Sequence, residues 1–189
     1  ETNSLYIHIP KAAGTSISEC CYGVDPGHHA ISDYHYLSTN IYRSMFKFSF
    51  TRNPYTRLLS AYKYSFKQFQ EHPKTSVKFV VNFPTFESFV NNWLTKENAE
   101  THYFFWPQNK YLCNEDKELE IDYCGKFETL IEDFEVVKHQ LGVTKSLPIS
   151  NHTGGGSIEG LYNQDLAKKV FAVYEKDFEL FNYLENSYK

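Results

Sequence analysis

Apolar and polar residues alternate along residues 4–9 and 46–51, which is typical of strands that bury one face. Residues 119–124 are predicted as a third strand. Helical spacing of apolar residues predicts helices over residues 15–22, 32–37, 54–72, 85–96, 129–142 and 163–183. Because strands alternate with helices, we expect an α/β fold in which helices flank a central parallel sheet.

Local signals mark the ends of two of these helices. Asn53 is a favourable N-cap residue, and Pro54 then occupies the first helical position, where its missing N–H removes no hydrogen bond. Thr129 and Glu132 have the spacing of a capping box. Gly142 is typical of the residue that follows a helix, so the helix that begins at Thr129 is predicted to end there.

Size and charge restrict the class of function. The 189 residues are predicted to form one domain, residues 1–189, and 41% of them are hydrophobic. No apolar run reaches the ~18 residues that suggest a membrane span. The net charge of -4 argues against a nucleic-acid partner, which requires a basic surface. Since the first residue is Glu1 rather than Met, we expect a trimmed chain, so that any anchor or targeting segment would lie outside this sequence.

The four cysteines, Cys20, Cys21, Cys113 and Cys124, lack the CxxC spacing of a zinc site. Because this spacing is missing, no metal site is expected. The cysteines are also too few for a disulfide scaffold in a chain of this length, which favours a reducing compartment. The sequence predicts a cytoplasmic protein, with the Golgi lumen as the alternative if an N-terminal anchor has been removed.

Two segments with phosphate-binding chemistry follow the first two predicted strands. Residues 10–16, Pro-Lys-Ala-Ala-Gly-Thr-Ser, place a lysine and small residues before a helix, so backbone N–H groups can approach an anion. In the second segment Arg52 suits a bidentate grip on phosphate, and Ser60 lies about two turns into the next helix. Ligands of parallel sheets bind beyond the carboxyl ends of the strands, so we expect both segments to be neighbours. Together they predict a nucleotide with phosphates at both ends of its ribose.

The segments PKAAGTS and RNPYTRLLSAY resemble the signature of sulfotransferases that use 3'-phosphoadenosine 5'-phosphosulfate (PAPS). The stretches HHAISDY, FKFSFTRNP, PQNKYLC, IDYCGKFETLIEDF and YEKDFELFNY resemble further blocks of the carbohydrate-type, family 2-like branch, in the same order. The resemblance implies a P-loop-nucleotide-hydrolase-like three-layer sandwich, no metal, and adenosine 3',5'-bisphosphate (PAP) as product. It also implies an acceptor hydroxyl on a carbohydrate.

The same resemblance implies roles for individual residues. The 5'-phosphosulfate would contact Lys11, Ala12, Ala13, Gly14, Thr15 and Ser16, and the 3'-phosphate would contact Arg52 and Ser60. Lys11 would neutralise charge on the oxygen that leaves the sulfur.

A histidine is expected to accept the proton of the attacking hydroxyl. His29 aligns best with the histidine of the family, and His28 is its close rival. His8, on the first strand, is predicted to be packed in the sheet. His152 lies in the glycine-rich residues 150–160, which are predicted either to fold over the nucleotide or to form a plain connector.

Two other functions stay open at this point. A P-loop nucleotide or small-molecule kinase would need the GxxxxGK[ST] motif and an acid pair for Mg²⁺, which the sequence lacks. A non-catalytic PAP-binding homologue would bind without transfer, although Lys11, Arg52 and Ser60 are all present. The chain also departs from Golgi members of the family, since only Cys113 follows its PQ block, where those members carry paired cysteines.

Overall fold

A three-stranded parallel sheet organises the first of two units into which the chain divides in a computed structural model. The structure describes residues 2–147, 158 and 160–189. The first unit contains the described residues of 2–52 and 108–147, and the second those of 53–107 and 158–189. The single domain predicted for residues 1–189 stays a prediction, and His152, with most of its glycine-rich segment, lies outside the described residues.

The sheet has the order β1 (Ser4–Ile7), β2 (Phe46–Thr51) and β3 (Tyr123–Lys126). Both strand pairs are parallel, with Tyr6 opposite Phe48 and Thr51 opposite Lys126. The carboxyl ends of all three strands therefore meet at one edge, and the predicted parallel sheet is confirmed.

The bounds predicted for the third strand are wrong. Leu119 forms an isolated antiparallel bridge with Cys113, and the N–H of Glu120 donates to the carbonyl of Leu112. Residues 119–120 therefore pair with the chain just before them, and the parallel strand begins only at Tyr123.

Helices surround these strands in the sequence, and the described ones are α1 (Gly14–Tyr22), α2 (Thr39–Ser44), α3 (Pro54–Glu71), α4 (Phe86–Asn92), α5 (Lys96–Ala99), α6 (Asn109–Leu112), α7 (Leu130–Leu141) and α8 (Gln164–Leu180). Short 3₁₀ turns cover Ile31–Tyr34, Lys78–Asn82 and Phe127–Thr129. The helix predicted over residues 85–96 is shorter than predicted, because α4 ends at Asn92 and α5 begins only at Lys96. The helix predicted over residues 32–37 is the 3₁₀ turn Ile31–Tyr34.

The core of the first unit lies between its sheet and two helices. Ile17 of α1 and Phe134 of α7 join Phe48 and Phe50 of β2 in one buried cluster. The helices of this unit therefore flank the sheet, as the α/β prediction requires. This packing fixes the direction of α1, whose first residue lies close to the end of β1.

The second unit is built mainly from α3, α4 and α8, whose apolar faces share a core that contains Leu58, Phe89 and Val170. Arg57 of α3 is also buried, and its guanidinium donates to the carbonyls of Phe104 and Trp106. Arg57 therefore ties a loop of this unit to its longest helix.

Candidate active site

The chain turns sharply between β1 and α1. Lys11 and Ala13 adopt left-handed backbone conformations, with φ of 69° and 65°. Residues with side chains rarely adopt this conformation, and where they do the site is often functional. A turn of this kind directs successive backbone N–H groups to one side, which forms a concave site for an anion.

The start of α1 adds to this concave site. Ala13 occupies the N-cap position but has no side-chain oxygen with which to cap the helix, and the first turn contains no acidic residue. Thr15 is exposed and Ser16 is buried. The uncapped start of α1, with the positive end of the helix dipole, therefore follows the turn directly, and such helix starts bind phosphate groups.

Arg52 connects the two predicted anion-binding segments. It follows β2, is only 4% exposed, and donates from Nη1 to the carbonyl of Lys11 over 3.2 Å. Its guanidinium also lies over the ring of Phe127, 4.1 Å from the ring centroid. Arg52, the first residue of the second segment, therefore lies next to Lys11 of the first segment.

Gln108 fixes the backbone of Arg52, a role that the sequence analysis missed. The Gln108 side chain is fully buried, accepts from the N–H of Arg52 over 2.8 Å and donates to its carbonyl over 2.8 Å. Gln108 lies in the PQNKYLC block, which the sequence analysis uses only as part of the family resemblance.

Ser60 lies in the second unit, on α3, and its side chain is half-buried. It belongs to a helix whose N-cap, Asn53, accepts a hydrogen bond from the N–H of Tyr55 over 3.0 Å. The role of Ser60 at the 3'-phosphate stays a prediction.

His8 is buried beneath the turn, as predicted for a packed residue of the first strand, although β1 itself ends at Ile7. Its Nδ1 lies 2.9 Å from Oδ1 of Asp25. Burial, with a smaller contribution from His28, lowers the pKa of His8 to about 4, against the opposing effect of Asp25. The ring is therefore neutral at pH 7 and donates from Nδ1 to the carboxylate.

The ring of His8 also explains why residue 14 is glycine. A Cβ added to Gly14 would lie 1.8 Å from Cδ2 of His8, far inside van der Waals contact. The close approach of this ring therefore requires glycine at the first residue of α1.

His28 lies against His8, with ring centroids 4.2 Å apart. Its Nδ1 is 3.0 Å from the backbone carbonyl of His8. Burial lowers the pKa of His28, and Lys11 and His29 add to this effect.

The other predicted base, His29, has a different environment. Its side chain is 60% exposed, and its Nδ1 is 3.7 Å from the carboxylate of Asp33. The structure therefore brings His8, His28 and Asp25 together next to the turn and places His29 on the surface, while the identity of the base stays a prediction. Asp25 is a further residue that the sequence analysis missed.

The remaining chemistry of the described residues is limited. In the described ranges, no group of three or more His, Cys, Asp or Glu side chains is placed to hold a metal ion. None of the helices described combines the length and apolarity needed to cross a membrane.

All four cysteines are thiols. Burial raises the pKa of Cys21 to about 12 and that of Cys124 to about 11, so neither is a reactive thiolate.

Comparison with known proteins agrees with the geometry of this site. Residues 1–184 match the sequence profile described as the sulfotransferase family. Carbohydrate sulfotransferase 12 of Xenopus laevis is 29% identical over 167 residues, which cover 72% of this chain and 40% of that protein. The chain thus spans less than half the length of this curated relative. No solved structure matches the chain significantly. The profile match over nearly the whole sequence shows that the chain belongs to the sulfotransferase family.

Proposed function

We propose that this chain transfers a sulfuryl group from PAPS to a hydroxyl group of a carbohydrate. The single observation that carries the proposal is the hydrogen bond from Arg52 to the carbonyl of Lys11, because it brings together two residues that follow adjacent parallel strands and are predicted to bind opposite ends of the donor. The carbohydrate acceptor is suggested by the name of the relative, carbohydrate sulfotransferase 12.

The residues present fit a donor with a charged group at each end. The turn at Lys11 and Ala13, the start of α1 and the lysine itself offer N–H groups and positive charge to one anion. The planar guanidinium of Arg52 lies over the ring of Phe127, while Gln108 holds the Arg52 backbone, and guanidinium groups suit the bidentate binding of a second anion. PAPS supplies the sulfuryl group, and the chain supplies the donors that neutralise its phosphates.

Each group then has a defined role in the transfer. Lys11 and the backbone of residues 12–16 bind the 5'-phosphosulfate and stabilise the charge that develops on the departing oxygen. Arg52 binds the 3'-phosphate, with Ser60 as its predicted second ligand. A histidine removes the proton of the acceptor hydroxyl as that oxygen attacks the sulfur.

Calorimetric titration with PAP tests this nucleotide assignment. We expect PAP to bind without Mg²⁺, and Arg52→Ala to weaken PAP much more than adenosine 5'-phosphate, since only PAP carries a 3'-phosphate. Arg43→Ala, which removes an exposed arginine of α2, is the matched control and is expected to bind PAP normally. Equal losses for both nucleotides in Arg52→Ala would contradict the 3'-phosphate contact, and tight binding of Mg-ATP in place of PAP would favour a kinase.

Transfer of labelled sulfate from PAPS to a panel of glycans tests the reaction itself. A labelled glycan would support the proposal. Tight PAP binding without transfer to any member of the panel would instead indicate a binding protein.

A further inference from the structure

We propose that His28 is the general base and that Asp25 and His8 position it, with Nε2 of His28 as the nitrogen that accepts the proton. This inference rests on the proposed sulfotransfer. The sequence alone leaves open whether His28 or His29 is the general base, and it assigns no role to Asp25.

The first step of the argument is the tautomer of His28. Its Nδ1 lies 3.0 Å from the backbone carbonyl of His8, and a carbonyl only accepts hydrogen bonds. Nδ1 therefore carries a hydrogen, and in the neutral ring the basic lone pair is on Nε2. The lowered pKa of His28, caused first by burial, keeps the ring neutral and able to accept a proton at pH 7.

The second step is the support of the carbonyl that sets this tautomer. His8 is 4% exposed, and its Nδ1 donates to Oδ1 of Asp25 over 2.9 Å. The same carboxylate oxygen accepts from the N–H of Gly27 over 3.0 Å. Asp25 thus connects the residue whose carbonyl holds His28 with the residue that precedes His28 in the chain.

The third step links this support to the donor. The ring of His8 occupies the space beside Gly14 at the start of α1, so the residue that holds the base also packs against the turn proposed to bind the phosphosulfate. His8 is itself unsuited to be the base, because it is almost fully buried. His29 has no comparable support, since its side chain is 60% exposed and 3.7 Å from Asp33.

The transfer forms one oxygen–sulfur bond and breaks another. The acceptor hydroxyl gives its proton to Nε2 of His28, and its oxygen forms a bond to sulfur. The bond between sulfur and the bridging oxygen of the 5'-phosphate breaks, and its electron pair leaves with PAP. His28 becomes an imidazolium and returns the proton to water. Asp25 and His8 are positioning residues, since they act through His28.

Ring-nitrogen NMR of the ligand-free protein tests the positioning separately from the activity. At pH 8 we expect His28 to carry its hydrogen on Nδ1 in the wild type and in Asp25→Asn, whose amide oxygen still accepts from His8 and Gly27. Asp25→Ala removes this acceptor and is expected to give a mixture of both tautomers. A wild-type His28 with its hydrogen mainly on Nε2 would overturn the inference, and the His28→Gln spectrum identifies the signals.

Kinetics complete the test. We expect Asp25→Ala to lower kcat by about 10²-fold, the loss typical of a misplaced reacting group, while PAP affinity stays within about twofold. Asp25→Asn is expected to restore most of the rate. Asp33→Asn makes the matched change beside His29 and is expected to leave kcat unchanged.

A rate that survives in His28→Gln, or that falls in Asp33→Asn as far as in Asp25→Ala, would refute the inference. Absence of both PAP binding and sulfate transfer in the wild type would instead refute the proposed function, and the tautomer of His28 would still report on the positioning.

Discussion

Glycine is needed at residue 14 because the ring of His8 leaves no room for a Cβ, and not because of the backbone dihedrals of that residue. Gly14→Ala places a Cβ 1.8 Å from the buried ring of His8, so the ring or the turn must move. We expect a loss of about 1–3 kcal/mol in the free energy of unfolding, as for other overpacked sites, measured by urea denaturation.

The double variant Gly14→Ala/His8→Ala provides the control for that prediction. Removing the ring should make the added methyl nearly neutral, so the two substitutions should be strongly non-additive. Additive losses would show that the clash with His8 is not the cause.

Gln108 makes an equally specific contribution to Arg52. Gln108→Ala removes both hydrogen bonds to the Arg52 backbone from a fully buried position. We expect a loss of about 2 kcal/mol in stability and a weaker affinity for PAP, measured by denaturation and calorimetry. The control is Gln140→Ala on the exposed side of α7, which should change neither quantity appreciably, and a normal PAP affinity in Gln108→Ala would contradict the link to Arg52.

The sequence identifies Lys11 and Arg52 because their chemistry is carried by short contiguous motifs. It does not identify Gln108 or Asp25, because their role depends on partners that are distant in the sequence, such as Arg52 for Gln108 and His8 for Asp25. It also cannot separate His28 from His29. Adjacent residues on one loop share every sequence signal, and only the fold decides which one meets the carbonyl of His8.

Helix ends are predicted correctly where they depend on neighbouring residues and incorrectly where a residue outside the motif makes the decisive contact. Asn53, Pro54 and Gly142 act within one turn, and the structure confirms all three. The capping box predicted at Thr129 is wrong, since its side chain caps no backbone N–H and its hydroxyl instead donates to the carboxylate of Asp133 over 2.7 Å. Asp133 also accepts from the N–H of Lys126 at the end of β3. Asp133 thus links Thr129 to the end of β3, a contact that the local spacing does not predict.

Two asparagine caps in the second unit allow a matched comparison. Asn163 accepts from the N–H of Leu166 at the start of α8, and Asn163→Ala should cost about 1 kcal/mol. Asn53 caps α3 and also donates to Oγ of Ser187 over 2.8 Å. We therefore expect Asn53→Ala to cost clearly more in urea denaturation. Equal losses would mean that the contact with Ser187 contributes nothing.

The stability of the chain should depend on pH through the buried His8. The folded state lowers the pKa of His8 from 6.5 to about 4, so below pH 6.5 the unfolded state binds more protons. Stability should therefore fall as the pH decreases from about 6.5 to about 4. Hydrogen bonds outweigh burial and lower the pKa of Asp25 and of Asp133 from the ordinary carboxyl value, so the stability they contribute is lost only as the carboxylates are protonated in stronger acid. The two causes of acid destabilisation thus occupy different pH ranges.

The window between pH 6.5 and pH 4 can be assigned to histidine by substitution. The full effect of His8 is at most about 3.5 kcal/mol at ~1.4 kcal/mol per pKa unit. His28, whose pKa is also lowered, adds in the same direction. We expect His8→Asn to flatten the pH dependence of the urea midpoint in this window and His139→Gln, at an exposed site of α7, to retain it. A slope that persists in His8→Asn would place the titrating group elsewhere, because no proton could then bind to residue 8. A flattened slope would show that the buried ring next to the turn proposed to bind the phosphosulfate is kept neutral at a cost to acid stability.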